Sequence, residues 1–457
     1  MIHDTSQDVN LTVTHHAHAV ATDKPIRTTL RDSFAEGVRL REVIGWAMYD
    51  FANSGYTTVV LTAVFNAYFV AVVAENRPWA TLAWTSALAV SYLAIMILGP
   101  IMGAYADAHA AKKRLLALST SACVLSTAGL ALVGPGDLAL GALLLILSNF
   151  FFSCGENLIA AFLPELATKQ SLGRVSGWGW SLGYCGGLVS LGLSLLYVQW
   201  AQSQGMSSTA YVPITMLITA ALYASASIPT FLLLRERVIP QSSQAGRLLA
   251  ALKRIGQTIR NAHHYVDLWR FLVCVVFYQA GVQTVVVLAA IYAQQALHFT
   301  TAGTIKMIAV VNITAAIGAY FFGAIQDKLG HKRTIGLTLL GWLFTVVFAA
   351  LATGPGLFWV AANGAGLCLG ASQSGARALV AYLSPAERRA EYFGLWGLAV
   401  RLSAILGPIT YGLITWASGN NHRLAILATG LYFLVGLILL RGVNVARGHD
   451  AALKPPV

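Results

Sequence analysis

Four charged residues fall inside otherwise apolar stretches of the sequence: Asp50, Glu156, Arg377 and Arg401. If those stretches lie in lipid, each charge at the bilayer centre costs about 2.5–3.5 kcal/mol, so each needs a chemical reason. Their neighbours follow helical spacing. Asp50, Asn53 and Thr57 stand at i, i+3 and i+7 and share a face, as do Asn149, Ser153 and Glu156, with Asn157 adjacent. Asn363, Gly370, Gln373 and Arg377 form another polar stripe, Gln279 and Gln283 lie one turn apart, and so do Trp180 and Tyr184. Glu156 and Arg377 are 221 residues apart, a spacing that recurs elsewhere in the chain. A guanidinium can grip a carboxylate bidentately, and a glutamate can receive an ammonium group or shuttle a proton. An acid and a base facing one water-filled space would suit a zwitterion or a small anion with a polar tail. Three plainer readings stand beside this one. Glu156 and Arg377 neutralise each other across the fold, Asp50 and Asn53 serve helix packing near an interface, and Trp180 and Tyr184 merely pack.

The elements that would carry these residues are membrane-spanning helices. Of the 457 residues, 57% are hydrophobic and 11% charged, whereas soluble proteins carry roughly 25% charged residues. Lipid is therefore the solvent for much of the surface. About 20 apolar residues per span gives twelve spans, near 45–73, 80–106, 114–133, 138–166, 175–199 and 211–234, then 268–293, 303–326, 333–352, 356–383, 391–416 and 423–441. Basic residues mark alternate loops, including Arg39 and Arg41, then Lys112, Lys113 and Arg114, then Lys332 and Arg333. The other side has little beyond Arg77, Lys306 and Arg423. This bias predicts that both termini are cytoplasmic, and it assigns the net charge of +12 to topology rather than to nucleic acid.

The expected organisation is a disordered arm over 1–42, a six-helix bundle over 43–234, a linker over 235–267, a second bundle over 268–441 and a cytoplasmic tail over 442–457. Within the linker Leu248, Leu252, Ile255 and Ile259 recur at helical spacing among Arg247, Lys253, Arg254 and Arg260, which predicts a basic amphipathic helix on the inner leaflet. The first forty residues lack the apolar core of a cleavable leader. Their His15, His16 and His18 read as part of a polar tail rather than as metal ligands. Cys123, Cys154, Cys185, Cys274 and Cys368 all fall in apolar runs without a CxxC pair, so neither a disulfide framework nor a zinc site is expected.

The halves repeat. Gly103 and Asp107, followed by Lys112, Lys113 and Arg114, match Gly323 and Asp327, followed by Lys332 and Arg333, 220 residues on. Leu163-Pro164-Glu165 and Pro385 with Glu387 repeat at 221 residues. Parallel six-helix repeats are a secondary-transporter architecture. In the repeated motif glycine lets helices approach closely, and aspartate can accept hydrogen bonds at a facing helix N-terminus. The motif resembles the signature loop of the major facilitator superfamily, in which it latches the inner gate. That resemblance implies gate roles for Gly103, Asp107, Lys113, Gly323, Asp327, Lys332 and Arg333. Ala110 stands where the superfamily usually has glycine, so the first turn should differ from the second at Gly330.

A narrower resemblance lies in Trp46-Ala-Met-Tyr49-Asp50-Phe-Ala-Asn53-Ser54-Gly55-Tyr56, in Phe162-Leu-Pro164-Glu165-Leu and in Ser176-Gly177-Trp-Gly179-Trp180-Ser-Leu-Gly183-Tyr184. These are similar to the vacuole amino-acid effluxer-like family of that superfamily, over about residues 42–441. The resemblance implies an all-α fold of twelve transmembrane helices in two pseudo-symmetric bundles, and amino-acid efflux in fungal members. Family members tend to carry lysine near the place of Arg401. The glycine series of the fifth span is similar to an antiporter motif but has Tyr184 in place of its proline, which leaves the direction of transport open.

The expected function is secondary active transport of a small polar solute, an amino acid or a related zwitterionic or anionic metabolite, by alternating access. Protons are a candidate coupling ion through Glu156 or Asp50. Substrate contacts are expected from Asp50, Asn53, Glu156, Asn157, Trp180, Tyr184, Gln279, Gln283, Gln373, Arg377 and Arg401. The expected setting is a bacterial inner membrane, with the protein a monomer and without cofactor or metal. A transport-inactive receptor is the alternative. An intramembrane enzyme is disfavoured by the lack of HExxH, Gly-x-Ser-x-Gly or a phosphate-binding loop.

Overall fold

A computed structural model describes residues 30–75, 77, 79–237, 264–297, 299, 301–419 and 421–454. The expected linker helix and the N-terminal histidines lie outside the described residues.

The first half comprises α1 (Leu40–Val73), α2 (Ala80–His109), α3 (Lys112–Gly129), α4 (Leu138–Ala160), α5 (Leu172–Ser203) and α6 (Ser208–Leu233). The second comprises α7 (Val266–Leu297), α8 (Thr301–Leu329), α9 (His331–Leu351), α10 (Pro355–Leu383), α11 (Arg389–Ala417) and α12 (His422–Arg441). Eleven of the described helices are long and apolar enough to cross a membrane by themselves. The exception is α10, which carries Asn363, Ser372, Gln373, Ser374 and Arg377. Its polar second half is wrapped by protein, with most of residues 370–383 buried. A polar helix is tolerated at membrane depth only in such surroundings.

The two halves pack alike. In the first, α1 lies against α5 and α6, and α4 against α2 and α3; in the second, α7 lies against α11 and α12, and α10 against α8 and α9. Between the halves α2 meets α11 and α8 meets α5, while α4 touches α11 and α10 touches α5. These cross-contacts repeat under the same internal symmetry. Within α1 the winding widens at Thr57–Ala63 and again at Phe69–Val73. Such wide turns inside helices are common at functional positions, and here the first begins two turns beyond Asp50.

The predicted disordered arm is corrected from residue 30 onward. Phe34 is buried with its ring edge against Trp178, the Ala35 amide donates to the Leu166 carbonyl at 2.9 Å, and Arg174 Nη1 donates to Ser33 Oγ at 3.0 Å. An apolar anchor with paired backbone groups holds this segment on the bundle. The tail is ordered too. Helix α13 (Val445–Leu453) docks through Arg447, whose Nε donates to Asp267 Oδ2 at 2.7 Å. That hydrogen bond holds the Arg447 guanidinium above its ordinary pKa range.

Candidate functional site

The site begins with α1. Trp46 and Asp50 lie one turn apart on one face, and Trp46 is fixed by a 2.8 Å hydrogen bond from its Nε1 to the Ile159 carbonyl of α4. From the other half, Arg377 of α10 reaches this face. Its Nη1 donates to Asp50 Oδ2 at 2.6 Å, its Nε to Ser176 Oγ at 3.1 Å and its Nη2 to the Ser176 carbonyl at 2.9 Å. The guanidinium also lies over the rings of Trp46 and Trp180, at 4.7 and 5.4 Å from their centroids. Glycine at 179 is what lets α5 come this close, because a Cβ there would collide with Asp50, Arg377 and Trp46. The Arg377 side chain is 3% exposed and that of Asp50 11%. This is a sealed ion pair joining α1, α5 and α10 across the halves.

A second ion pair crosses the halves on the α4–α11 side. Arg401 Nη2 donates to Glu156 Oε2 at 2.5 Å, and the guanidinium lies 5.5 Å from the Tyr92 ring centroid. Here the glutamate side chain is 27% exposed and the arginine 13%. This pair therefore has room for competition, whereas the Asp50–Arg377 pair has little.

The expectation that Glu156 and Arg377 face each other is corrected. Each has a partner, but the partners are exchanged. Equal depth in two symmetry-related helices does not make residues adjacent, because α4 packs on α11 and α10 on α5.

Two latches close the end that carries the basic loops. Asp107 Oδ2 accepts from the Glu391 amide in the first turn of α11 at 3.0 Å. Asp327 accepts from the amides of Gly173 and Arg174 in the first turn of α5, at 2.8 and 2.9 Å. In each case a carboxylate satisfies the unpaired N–H groups of a helix start in the opposite half. Gly103 and Gly323 make the approach feasible, since a Cβ at either would strike the backbone at Ala390 or Gly173. Gly394 abuts Gly99 and Pro100 in the same way that Gly177 abuts Ala319.

A model of the family described as vacuole effluxer Atg22 like matches residues 68–453. The chain belongs to that family. It is an MFS-type transporter and a multi-pass membrane protein. It is 27% identical over 414 residues to the MFS-type transporter YxiO of Bacillus subtilis (strain 168), covering 89% of this chain and 96% of that one. It is 24% identical over 311 residues to autophagy-related protein 22 of Candida glabrata, covering 61% of this chain and 56% of that protein. The chain thus spans about half the length of that fungal relative. Among solved structures, the human organic anion transporter MFSD10 (TETRAN) superposes with a TM-score of 0.69 at 14% identity, covering 88% of this chain and 99% of that one, which shows the shared fold.

In this member of the family the remaining sequence candidates divide. Asn157 is buried against Gly397 of α11, beside the Glu156–Arg401 pair. Trp180 and Tyr184 are half-buried with ring centroids 5.9 Å apart. Gly177 and Gly394 occupy matching places 217 residues apart, and the same interval pairs Tyr184 with Arg401. One half thus presents a phenol where the other presents a guanidinium. Gln279 is buried and donates from Nε2 to Gln373 Oε1 at 2.7 Å, a bond inside the second half. Gln283 is half-buried one turn further on, and Asn53 is buried beside Ser54.

Lys113 and Lys332 are corrected as latch residues. Lys113 Nζ donates to the Leu234 carbonyl at 2.6 Å, and Lys332 Nζ to the carbonyls of Arg441 and Val443 at 2.8 and 2.7 Å. Each ties its loop to the last helix of its own half, because helix C-termini offer unpaired carbonyls to a nearby cation. The latch cation of the first copy is the neighbouring Lys112. It is fully buried, bonded to Glu165, and its Nζ lies 3.9 Å from Asp107 Oδ1. Arg333 stays exposed at the rim.

Sequence reasoning also missed Ser176 and Tyr92, the companions of Arg377 and Arg401. Ser176 stands one turn before Trp180 in the Ser176–Tyr184 motif, so the Trp180 face pointed to it. Tyr92 had no such signal.

Proposed function

We propose that the protein is a secondary active transporter for a small polar solute, an amino acid or a related zwitterionic or anionic metabolite. It works as a monomer by rocking its halves about the Glu156–Arg401 pair. The observation that carries this reading is that pair itself: an acid and a base from opposite halves, in contact yet partly exposed. A solute carboxylate would take the place of Glu156 on Arg401, and a solute ammonium would draw Glu156 away. Protonation of Glu156 would release Arg401 in a similar way, which is a route to proton coupling. Asn157 would shape the neighbouring space, while Trp180 and Tyr184 would act from the Arg377 side, where Trp180 lies under the guanidinium. Asp50–Arg377 would be a strut that must break when the basic end opens.

The charge bias of the loops supports cytoplasmic termini in a bacterial inner membrane. The described form, latched at its basic end, is on this reading closed to the cytoplasm. The family's description as an effluxer supports export.

The test is a thermal-shift screen of purified protein against amino acids and organic acids, followed by flux of any hit in liposomes. Binding should weaken in both Glu156→Gln and Arg401→Gln. A hit that binds both variants as it binds the parent would sink the proposed site. Flux that ignores a pH gradient, with Glu156→Gln fully active, would remove proton coupling.

A further inference from the structure

A cavity of about 950 Å³ opens at the basic end, between the halves. Lys169 and Gln170, from the segment joining α4 to α5, line its first-half wall; Arg270, Lys332, Arg333, Arg441 and Arg447 line the second. Asp327 is the one carboxylate in the lining among the described residues.

The hydrogen bonds divide these groups sharply. Both Asp327 oxygens are taken by the amides of Gly173 and Arg174. Lys332 is spent on two carbonyls, Arg447 on Asp267, and Arg270 Nη1 on the Gly442 carbonyl at 3.1 Å. Lys169, Arg333 and Arg441 are exposed, and their side chains have no hydrogen-bond or ion-pair partner among the described residues. Cations gathered in one concave wall repel one another and concentrate counter-ions. Two of these three are arginine, whose planar fork suits a tetrahedral oxyanion.

We propose that this cavity binds a phosphate-bearing anion, held by Lys169 from the first half and by Arg333 and Arg441 from the second. The site is distinct from the Glu156–Arg401 pair and shares no residue with it. Because its walls come from both halves, a bound anion ties them together at the end where Asp327 latches α5, and so favours the closed form. The phosphate can come from a lipid headgroup at the membrane boundary or from a soluble metabolite; the chemistry recognised is the same.

The test uses the full chain, purified in neutral detergent and stripped of anionic lipid. It is titrated with inorganic pyrophosphate and, separately, with phosphatidylglycerol in neutral micelles, with melting temperature and calorimetric affinity as readouts. Saturable binding of at least one probe is expected. Lys169→Gln and Arg333→Gln should each weaken it about tenfold. Arg114→Gln, an exposed cation at the start of α3 and outside the cavity lining, should change it less than about twofold. Pyrophosphate binding without a phosphatidylglycerol effect identifies a soluble ligand, and the converse identifies a lipid; either supports the site. Failure of both probes to saturate overturns the proposal, as does equal loss in Arg114→Gln and Arg333→Gln. Loss in Arg333→Gln alone, with Lys169→Gln unaffected, overturns the bridge between the halves.

Discussion

Arg377 and Asp50 meet at 2.6 Å although 327 residues separate them, and their contact joins the second half of the molecule to the first. Both side chains are withdrawn from solvent, and Ser176 takes up the other two guanidinium directions. Removing one partner from such a pair leaves an uncompensated charge, a loss of about 3–5 kcal/mol. Arg377→Ala and Asp50→Ala should each lower the melting temperature markedly. The double variant should lose much less than their sum, because the orphaned charge is then gone. Additive losses in a thermal double-mutant cycle would show that the two residues are not coupled.

That pairing shows where the sequence stopped being legible. The latches could be read because Gly103, Asp107, Gly323 and Asp327 repeat with fixed spacing, and the chemistry of an aspartate near a helix start is local. That the four charges lie on long apolar helices could be read from composition alone. Which charge meets which is a property of helix order across the interface, and no periodicity encodes it. Glu156 and Arg377 are equivalent by repeat, yet α4 faces α11 and α10 faces α5. The roles of Lys112 and Lys113 were exchanged for a related reason. Adjacent helical residues point about a quarter-turn apart, and only packing decides that Lys112 turns inward to Glu165 while Lys113 turns to the Leu234 carbonyl.

The Glu156–Arg401 pair makes a different prediction from the sealed one. Its glutamate is a quarter exposed, so losing one member leaves a charge that water can reach. Glu156→Gln and Arg401→Gln should therefore cost less stability than Arg377→Ala, yet lose most solute flux in liposomes. Arg401→Lys keeps the charge and gives up the planar fork. It should retain measurable flux with weakened affinity for carboxylate-bearing solutes. If Arg401→Gln transports as well as the parent, the pair is structural and the solute site lies elsewhere.

The Asp327 latch is held by two amide donors, those of Gly173 and Arg174. Losing a side chain that caps a helix start costs about 0.5–2 kcal/mol. Where the cap joins two halves, that cost falls on the closed form alone. Asp327→Ala should therefore shift the closed-to-open ratio by about tenfold. Spin labels at Lys169 and Lys328, exposed positions in opposite halves, would report it as a growing long-distance population. An unchanged distance distribution would mean that helix packing alone holds the closed form.

The turns after the two latches differ in a way that stability measurements can read. Ala110 sits at φ 46° and ψ 51°, in the left-handed helical region. Gly330, its counterpart in the repeat, sits at φ 88° and ψ 149°. The first conformation is open to alanine at a cost of about 1–2 kcal/mol. The second is essentially confined to glycine, and another residue there costs about 1–3 kcal/mol. Ala110→Gly removes the steric cost but gives the unfolded chain more freedom, which returns about 0.4–1 kcal/mol. The net expectation is a small gain, of order 0.5 kcal/mol. Gly330→Ala should lose stability, because nothing within 4 Å of the added Cβ obstructs it and the backbone strain alone decides the sign. Thermal melting of the two single variants checks both signs. A stabilised Gly330→Ala protein would show that this turn can leave its positive-φ conformation without disturbing the Asp327 latch beside it.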